Sequence, residues 1–226
     1  MSTKRYNPVR ACPVCGLALS WPGADGVCPN RWCRRADRSF SVVFSIGVHT
    51  GALRHALLRY KYQEERWWAP HFARMVGGYL HANGTWFEEF DLLAAVPGYV
   101  GAGARRRWDP VRQILVEVAS LPRLSWRVEP DLILKRAETP AMQGLDWAAR
   151  QAVASGRLRD ALAVPVPGLV KGCRVLVFDD VMTEGSTLRE VARALRLAGA
   201  AEVAGLVLAR PTWSERREAR GRGGGS

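Results

Sequence analysis

Four apolar residues, Val175-Leu176-Val177-Phe178, run directly into two adjacent carboxylates, Asp179-Asp180, and then into the polar, glycine-containing stretch Val181-Met182-Thr183-Glu184-Gly185-Ser186-Thr187. No other segment constrains the fold as tightly. A short, wholly apolar run bounded by turn residues predicts a strand buried on both faces of a parallel sheet. After the loop, Leu188, Val191, Ala192 and Leu195 recur at helical spacing, and Gly199 marks the stop. The segment therefore reads strand, acidic turn, helix over Leu188–Leu197. In open α/β sheets, ligands bind beyond the carboxyl ends of the strands. The amides of residues 183–187 open a helix and form an anion site. Gly185 lets the backbone approach a phosphate closely. Ser186 and Thr187 offer hydroxyls, and Asp179 and Asp180 can accept hydrogen bonds from vicinal ribose hydroxyls or hold Mg²⁺ through water. The plain alternative is a capped helix with solvated aspartates. A nucleotide triphosphate loop of the G-x-x-x-x-G-K-[ST] kind is absent.

The rest of the chain supports the alternation that such a sheet needs. Ser39 to Val48 alternates like a strand. Leu53, Leu57 and Tyr60 follow Thr50 at helical spacing, and a second helix is expected from Ala69 to His81. Asp91 to Val96 is a buried strand stopped by Pro97-Gly98, a turn that leaves backbone N–H groups free to face a pyrophosphate. A helix follows over Pro110 to Ala119, extended structure interrupted by Pro130 over Ser125 to Lys135, and a helix over Leu145 to Ala154. Glu202 to Leu208 returns as a strand. The expected fold class is α/β, a mostly parallel sheet with flanking helices.

Four of the five cysteines fall in the first 33 residues, as Cys12-x2-Cys15 and Cys28-x4-Cys33. Two such pairs deliver four thiolates to a tetrahedral, structural Zn²⁺. Cys173 is expected as a core thiol, and His49, His55, His71 and His81 share no metal spacing.

The 226 residues suit one domain with a small appendage. The expected division is a zinc ribbon over 1–38, an α/β domain over 39–213 and a disordered basic tail over 214–226. No apolar stretch approaches the roughly 18–20 residues of a membrane span, and residues 1–6 carry no apolar run of a signal peptide. A cytoplasmic protein is expected, with reduced thiols. The net charge of +12 is concentrated at the ends: residues 1–40 carry seven Lys/Arg against two Asp/Glu, and 210–226 five against two. Such ends suit either nucleic acid or plain solvation. Arg105, Arg106, Arg107, Lys135 and Arg136 supply positive charge within the domain.

The 175–187 segment resembles the phosphoribosyl pyrophosphate (PRPP) signature of type I phosphoribosyltransferases. The resemblance implies a phosphoribosyltransferase-like fold, Asp179 and Asp180 as catalytic acids on the ribose hydroxyls, and Thr183, Glu184, Gly185, Ser186 and Thr187 around the 5′-phosphate. Glu184 stands where the family usually has a small residue. The layout from Cys12 to about Pro211 is similar to the ComF family of competence-associated proteins, which join a zinc ribbon to such a domain. Arg59-Tyr60-Lys61-Tyr62 resembles its Lys-Tyr element, and Val96-Pro97-Gly98-Tyr99 its pyrophosphate loop. Arg105-Arg106-Arg107 stands in its arginine stretch, with the usual Gly, Asn and Gln replaced. Lys135-Arg136, Thr139, Gln143, Leu145 and Arg150 follow the pattern of its mobile hood. The implied activity is transfer of phosphoribose from PRPP·Mg²⁺ to a nitrogen acceptor, with Lys61, Arg105–Arg107, Lys135 and Arg136 as candidate anion-binding groups. The alternative is a competence protein that binds single-stranded DNA or a DNA-processing partner and keeps PRPP as a regulator or relic.

Overall fold

A computed structural model describes residues 12–17, 28–122, 124, 126–141 and 145–211. Gln143, the 214–226 tail and the basic residues 4–10 lie outside the described residues. Five strands form one wholly parallel sheet: β1 (Val43–Val48), β2 (Leu92–Ala95), β3 (Arg127–Glu129), β6 (Arg174–Val181) and β7 (Glu202–Arg210), in the order β1-β7-β6-β2-β3. Two short strands, β4 (Leu134–Lys135) and β5 (Leu162–Ala163), pair antiparallel as a separate ribbon. The expected mostly parallel sheet is present.

The sheet carries helices on both faces because its strands are apolar on both sides. Along β6, Leu176 and Phe178 join Leu93, Ala95, Leu206 and Leu208 in one core layer. That layer is closed by α1 (Gly51–Tyr62), α2 (Ala69–Ala82), the short α3 (Gly84–Phe87) and α4 (Pro110–Ala119). Val175 and Val177 point the other way, into a layer with α7 (Ser186–Leu197) and the cysteine module. The period of two along a strand makes this division. On α7, Leu188, Val191, Ala192 and Leu195 are fully buried, each leucine contributing roughly 2 kcal/mol.

Chain order fixes where a ligand can sit. From β2 the chain moves outward through α4 to β3, whereas from β6 it moves the opposite way through α7 to β7. The sheet therefore reverses direction between β6 and β2, and a crevice opens at their carboxyl ends. Over it stands a hood formed by β4, β5, α5 (Trp147–Val153), a π-turn over Ala154–Leu158 and α6 (Arg159–Ala161).

Several boundaries differ from expectation. The first strand begins at Val43 rather than Ser39, because Arg31–Arg34 and Ala36–Arg38 form 3-10 turns that deliver the chain to it. The extended stretch around Pro130 is split into β3 and β4, which belong to different sheets. The last helix starts two residues early, at Ser186, because Gly185 takes the left-handed backbone (φ 95°) that turns the chain into it. A Cβ there would stand 2.5 Å from the Met182 methyl, so the position requires glycine. Thr50 occupies the cap position of α1 but makes no capping hydrogen bond.

Candidate functional site

The twin acids end β6 on opposite faces of the sheet, as their adjacency demands. Asp179 is half-buried and lines a cleft of about 1970 Å³. Asp180 is buried and does not line it; its carboxylate pairs at 2.7 Å with Lys61 at the end of α1. Burial and the neighbouring Asp180 push the Asp179 carboxyl up to about 7. Burial disfavours the Lys61 ammonium, but Asp180 and Asp179 more than offset it, and its pKa lies above the ordinary value. Lys61 was expected to meet a ligand anion. In the structure its charge is answered within the protein.

Beyond the acids, Thr183, Glu184, Gly185, Ser186 and Thr187 all line the cleft where α7 begins. Gln151 of α5 donates to the Ser186 hydroxyl at 2.6 Å and ties the hood to the loop. Two carbonyls of the loop are held by buried side chains from the cysteine module and from the end of β7. Asn30 Nδ2 donates to the Glu184 carbonyl at 3.1 Å, and Arg210 Nη2 to that of Thr183 at 3.3 Å. The Glu184 carboxylate is itself buried and stands 3.7 Å from Arg150 Nη1 of α5. An outward-pointing Glu184 would have kept its charge away from a bound phosphate; this one does not point outward.

Across the switch point, the loop after β2 tells a different story. Val96 N–H donates to the Phe178 carbonyl at 2.8 Å, and Gly98 N–H donates to Asp109 Oδ2 at 2.6 Å. The Val96 amide thus belongs to the β2–β6 ladder, as its place in the strand requires, and the expectation of free amides at the Pro97-Gly98 turn is corrected at Gly98, whose N–H meets a carboxylate. The other oxygen of Asp109 caps α4, accepting from Val111 N and Arg112 N. Burial raises the Asp109 pKa although all three amides oppose the shift.

The five remaining candidate cations divide. Arg105 and Arg106 line the cleft, but Arg105 pairs with Glu138 at 2.9 Å and donates to the Thr139 carbonyl. Arg106 packs over the Tyr62 ring and donates to the Lys61 carbonyl. Lys135 lines the cleft with its pKa lowered, burial being the main cause. Arg107 and Arg136 are exposed and lie outside the cleft lining. The reason is local: neither lies on the side of its short loop or strand that faces the crevice.

Cys12, Cys15, Cys28 and Cys33 converge, with all four sulfurs within 4.8 Å of one another. The Cys12–Cys33, Cys15–Cys28 and Cys28–Cys33 separations are 3.7, 3.6 and 3.6 Å. Tetrahedral Zn–S bonds of about 2.3 Å require sulfurs about 3.8 Å apart. The donor set and its spacing fit a metal such as zinc. Hydrogen bonds with Cys12, Cys28 and Cys33, and through space the charge of Arg210, lower the pKa of Cys15, while the Cys28 and Cys33 thiols are raised by their cysteine neighbours. The module docks on β1 through Val43 N–H to the Val14 carbonyl at 2.8 Å. A Cβ on Gly16 would stand 2.9 Å from the Val43 carbonyl.

Asn30, Asp109, Gln151 and Arg210 were not singled out from the sequence. Only Asp109 carried a local signal, an acid directly before Pro110 at a helix start. The others reach their partners across long stretches of chain.

Comparison with known proteins adds a match over part of the chain. Residues 142–221 match the phosphoribosyl transferase domain, a span that takes in β6, the twin acids, the loop and α7. No curated protein sequence gives a significant match. Among solved structures, the chain is similar to the allosteric regulatory enzyme of purine biosynthesis (22% identity, 62% of this chain and 25% of that one, TM-score 0.36). It is also similar to orotate phosphoribosyltransferase of Mycobacterium tuberculosis H37Rv (18% identity, 75% and 73%, TM-score 0.34). A third similar structure is a purine phosphoribosyltransferase from Pyrococcus horikoshii Ot3 (17%, 65% and 90%, TM-score 0.33). The chain spans about a quarter of the length of the first of these. The parallel sheet, its switch point and the matched span together describe a phosphoribosyltransferase-like α/β fold carrying a four-cysteine cluster that can hold a metal.

Proposed function

We propose that this chain binds PRPP·Mg²⁺ at the β6–α7 loop and transfers its phosphoribosyl group to a nitrogen acceptor, in the manner of a ComF-type protein with a structural zinc. One observation carries the reading: Asp179 lines the cleft at the switch point, immediately followed by a glycine-turned loop at the start of α7. Asp179 would accept hydrogen bonds from the ribose hydroxyls. Amides 184–187 would receive the 5′-phosphate with the help of the helix dipole. Asp180 would act through Lys61, fixing the ammonium at the floor of the cleft.

Transfer from C1 passes through a cationic, oxocarbenium-like state. Catalysis then consists of positioning, charge stabilisation and exclusion of water. The cleft, about 1970 Å³, exceeds the upper size of about 1,000 Å³ usual for a single small ligand, so donor and acceptor fit together. Lys135, half-buried on the hood and lining the cleft, would neutralise leaving-group charge.

Titration calorimetry with PRPP·Mg²⁺ tests the reading. Asp179→Asn should weaken binding about 100-fold, the worth of two hydrogen bonds to a charged acceptor, without changing the thermal midpoint downward. Equal affinity in the two proteins would remove the proposal.

A further inference from the structure

The two carbonyls gripped in the phosphate loop belong to consecutive residues. Asn30 sits between Cys28 and Cys33 and holds the Glu184 carbonyl; its own Oδ1 accepts from Trp32 N, which locks the amide flip. Arg210 ends β7 and holds the Thr183 carbonyl. Both side chains are almost wholly buried, at 2% and 3% exposure. In a trans peptide, the carbonyl of one residue and the N–H of the next point in opposite directions, and no cis bond occurs among the described residues. Fixing the Thr183 and Glu184 carbonyls on the cysteine side therefore turns the N–H groups of Glu184 and Gly185 away from it, on the loop that lines the cleft.

Arg210 poses a second question. Its Nε and Nη1 are buried without a hydrogen-bond partner among the described residues, and no carboxylate pairs with it there. A buried guanidinium needs a counter-charge. Four thiolates around a divalent metal would form a dianion, on the side of the loop where Asn30, between Cys28 and Cys33, holds the carbonyl next to the one that Arg210 holds. A metal-loaded cluster would answer the Arg210 charge and keep that side chain inward, against Thr183.

We propose that the tetracysteine module is a positioning element for the phosphate loop: Asn30 and Arg210 transmit the metal-loaded geometry to the Glu184 and Gly185 amides, so that phosphate affinity depends on a filled cysteine cluster. The inference rests on the phosphate-loop reading above. It assigns the cysteine module a role in ligand binding, beyond holding its own fold. Such outer groups around a metal commonly orient what lies next to them.

Asn30→Asp provides the test, because it keeps the acceptor for Trp32 N while setting a carboxylate oxygen, which cannot donate, against the Glu184 carbonyl. The metal-loaded variant and the metal-loaded parent are compared by metal analysis, by calorimetry with PRPP·Mg²⁺ and by hydrogen exchange over residues 183–187. Metal content should stay equal. Affinity should fall about tenfold, and the Glu184 and Gly185 amides should exchange faster with no ligand present. Arg210→Lys keeps the positive charge but shortens the reach to Thr183, and should show the same changes at smaller size. It decides the matter should Asn30→Asp lose its metal. A parent that ignores PRPP·Mg²⁺ while the exchange changes appear would sink the proposed ligand and leave the coupling standing. Unchanged exchange and unchanged affinity in a metal-loaded variant would overturn the inference.

Discussion

The two loops that meet at the switch point have been prepared in opposite ways. After β6, the loop's carbonyls are held from outside by Asn30 and Arg210, and its amides start a helix at the cleft. After β2, the amides are already engaged: Gly98 donates to Asp109, whose other oxygen caps α4. On the proposed reading the first loop keeps its amides for an anion, whereas in the second the Gly98 amide already meets a carboxylate. The difference separates a loop whose carbonyls are held from a loop whose exposed Gly98 amide must leave Asp109 before it can meet any other acceptor.

Four substitutions or conditions break or sharpen this contrast. The largest effect is expected from Asp180→Asn, which leaves the Lys61 ammonium unpaired on the β2-facing side. Breaking a buried pair from one end costs about 3 kcal/mol, so thermal unfolding should show a drop of many degrees, against almost none for Asp179→Asn. Next is Glu184→Thr, which removes a carboxylate from the phosphate loop, 3.7 Å from Arg150. Two like charges a few ångströms apart repel by about 2 kcal/mol at a partly screened site; PRPP·Mg²⁺ should bind about twentyfold more tightly by calorimetry. Weaker binding would mean that the Glu184–Arg150 pair supports the loop more than it opposes the ligand.

The third is pH. Asp179 is held up to about 7 by burial and by Asp180, and only its ionised form accepts two ribose hydroxyls. Affinity should rise about tenfold between roughly pH 6 and 8, with the rise flattened in Asp179→Asn, whose ligand phosphate still titrates. The free protein should behave oppositely. A carboxyl whose pKa is raised by folding stabilises most below its unfolded value, and that contribution is lost as pH climbs from about 4 through about 7. The smallest effect is expected from Asp109→Ser. Serine preserves a helix cap but withdraws the acceptor from Gly98, so inorganic pyrophosphate should bind roughly two- to threefold more tightly, with the midpoint falling by a few degrees.

Local pattern carried much of this architecture. The apolar run Val175–Phe178, the acids after it and the glycine before α7 are contiguous, so period and turn chemistry place them without tertiary knowledge. The same holds for α4, found over Pro110–Ala119 as its spacing predicts, and for the cysteine pairs, which converge. What could not be read was pairing across the fold. Alternation says that Asp179 and Asp180 face opposite ways, but not that Lys61 waits for the second. Nothing in the spacing of Asn30 or Arg210 announces Glu184 or Thr183: the first contact arises only when the cysteine module docks, and the second only when β7 pairs beside β6. Arg105 to Arg107 formed one charged block in sequence, yet Arg105 binds Glu138, Arg106 packs on Tyr62, and Arg107 faces solvent. Composition places charge in a region and leaves its direction to the backbone.

A crystal structure of the zinc-loaded protein grown with PRPP·Mg²⁺ bears most directly on whether the β6–α7 loop is a phosphate cradle. The account predicts the 5′-phosphate on the amides of residues 184–187, Glu184 and Gly185 among them, the ribose hydroxyls on Asp179, and the Glu184 side chain swung aside from Arg150. A ligand bound elsewhere, or a saturated crystal with the Glu184–Arg150 pair still in place and the loop bare, would contradict it.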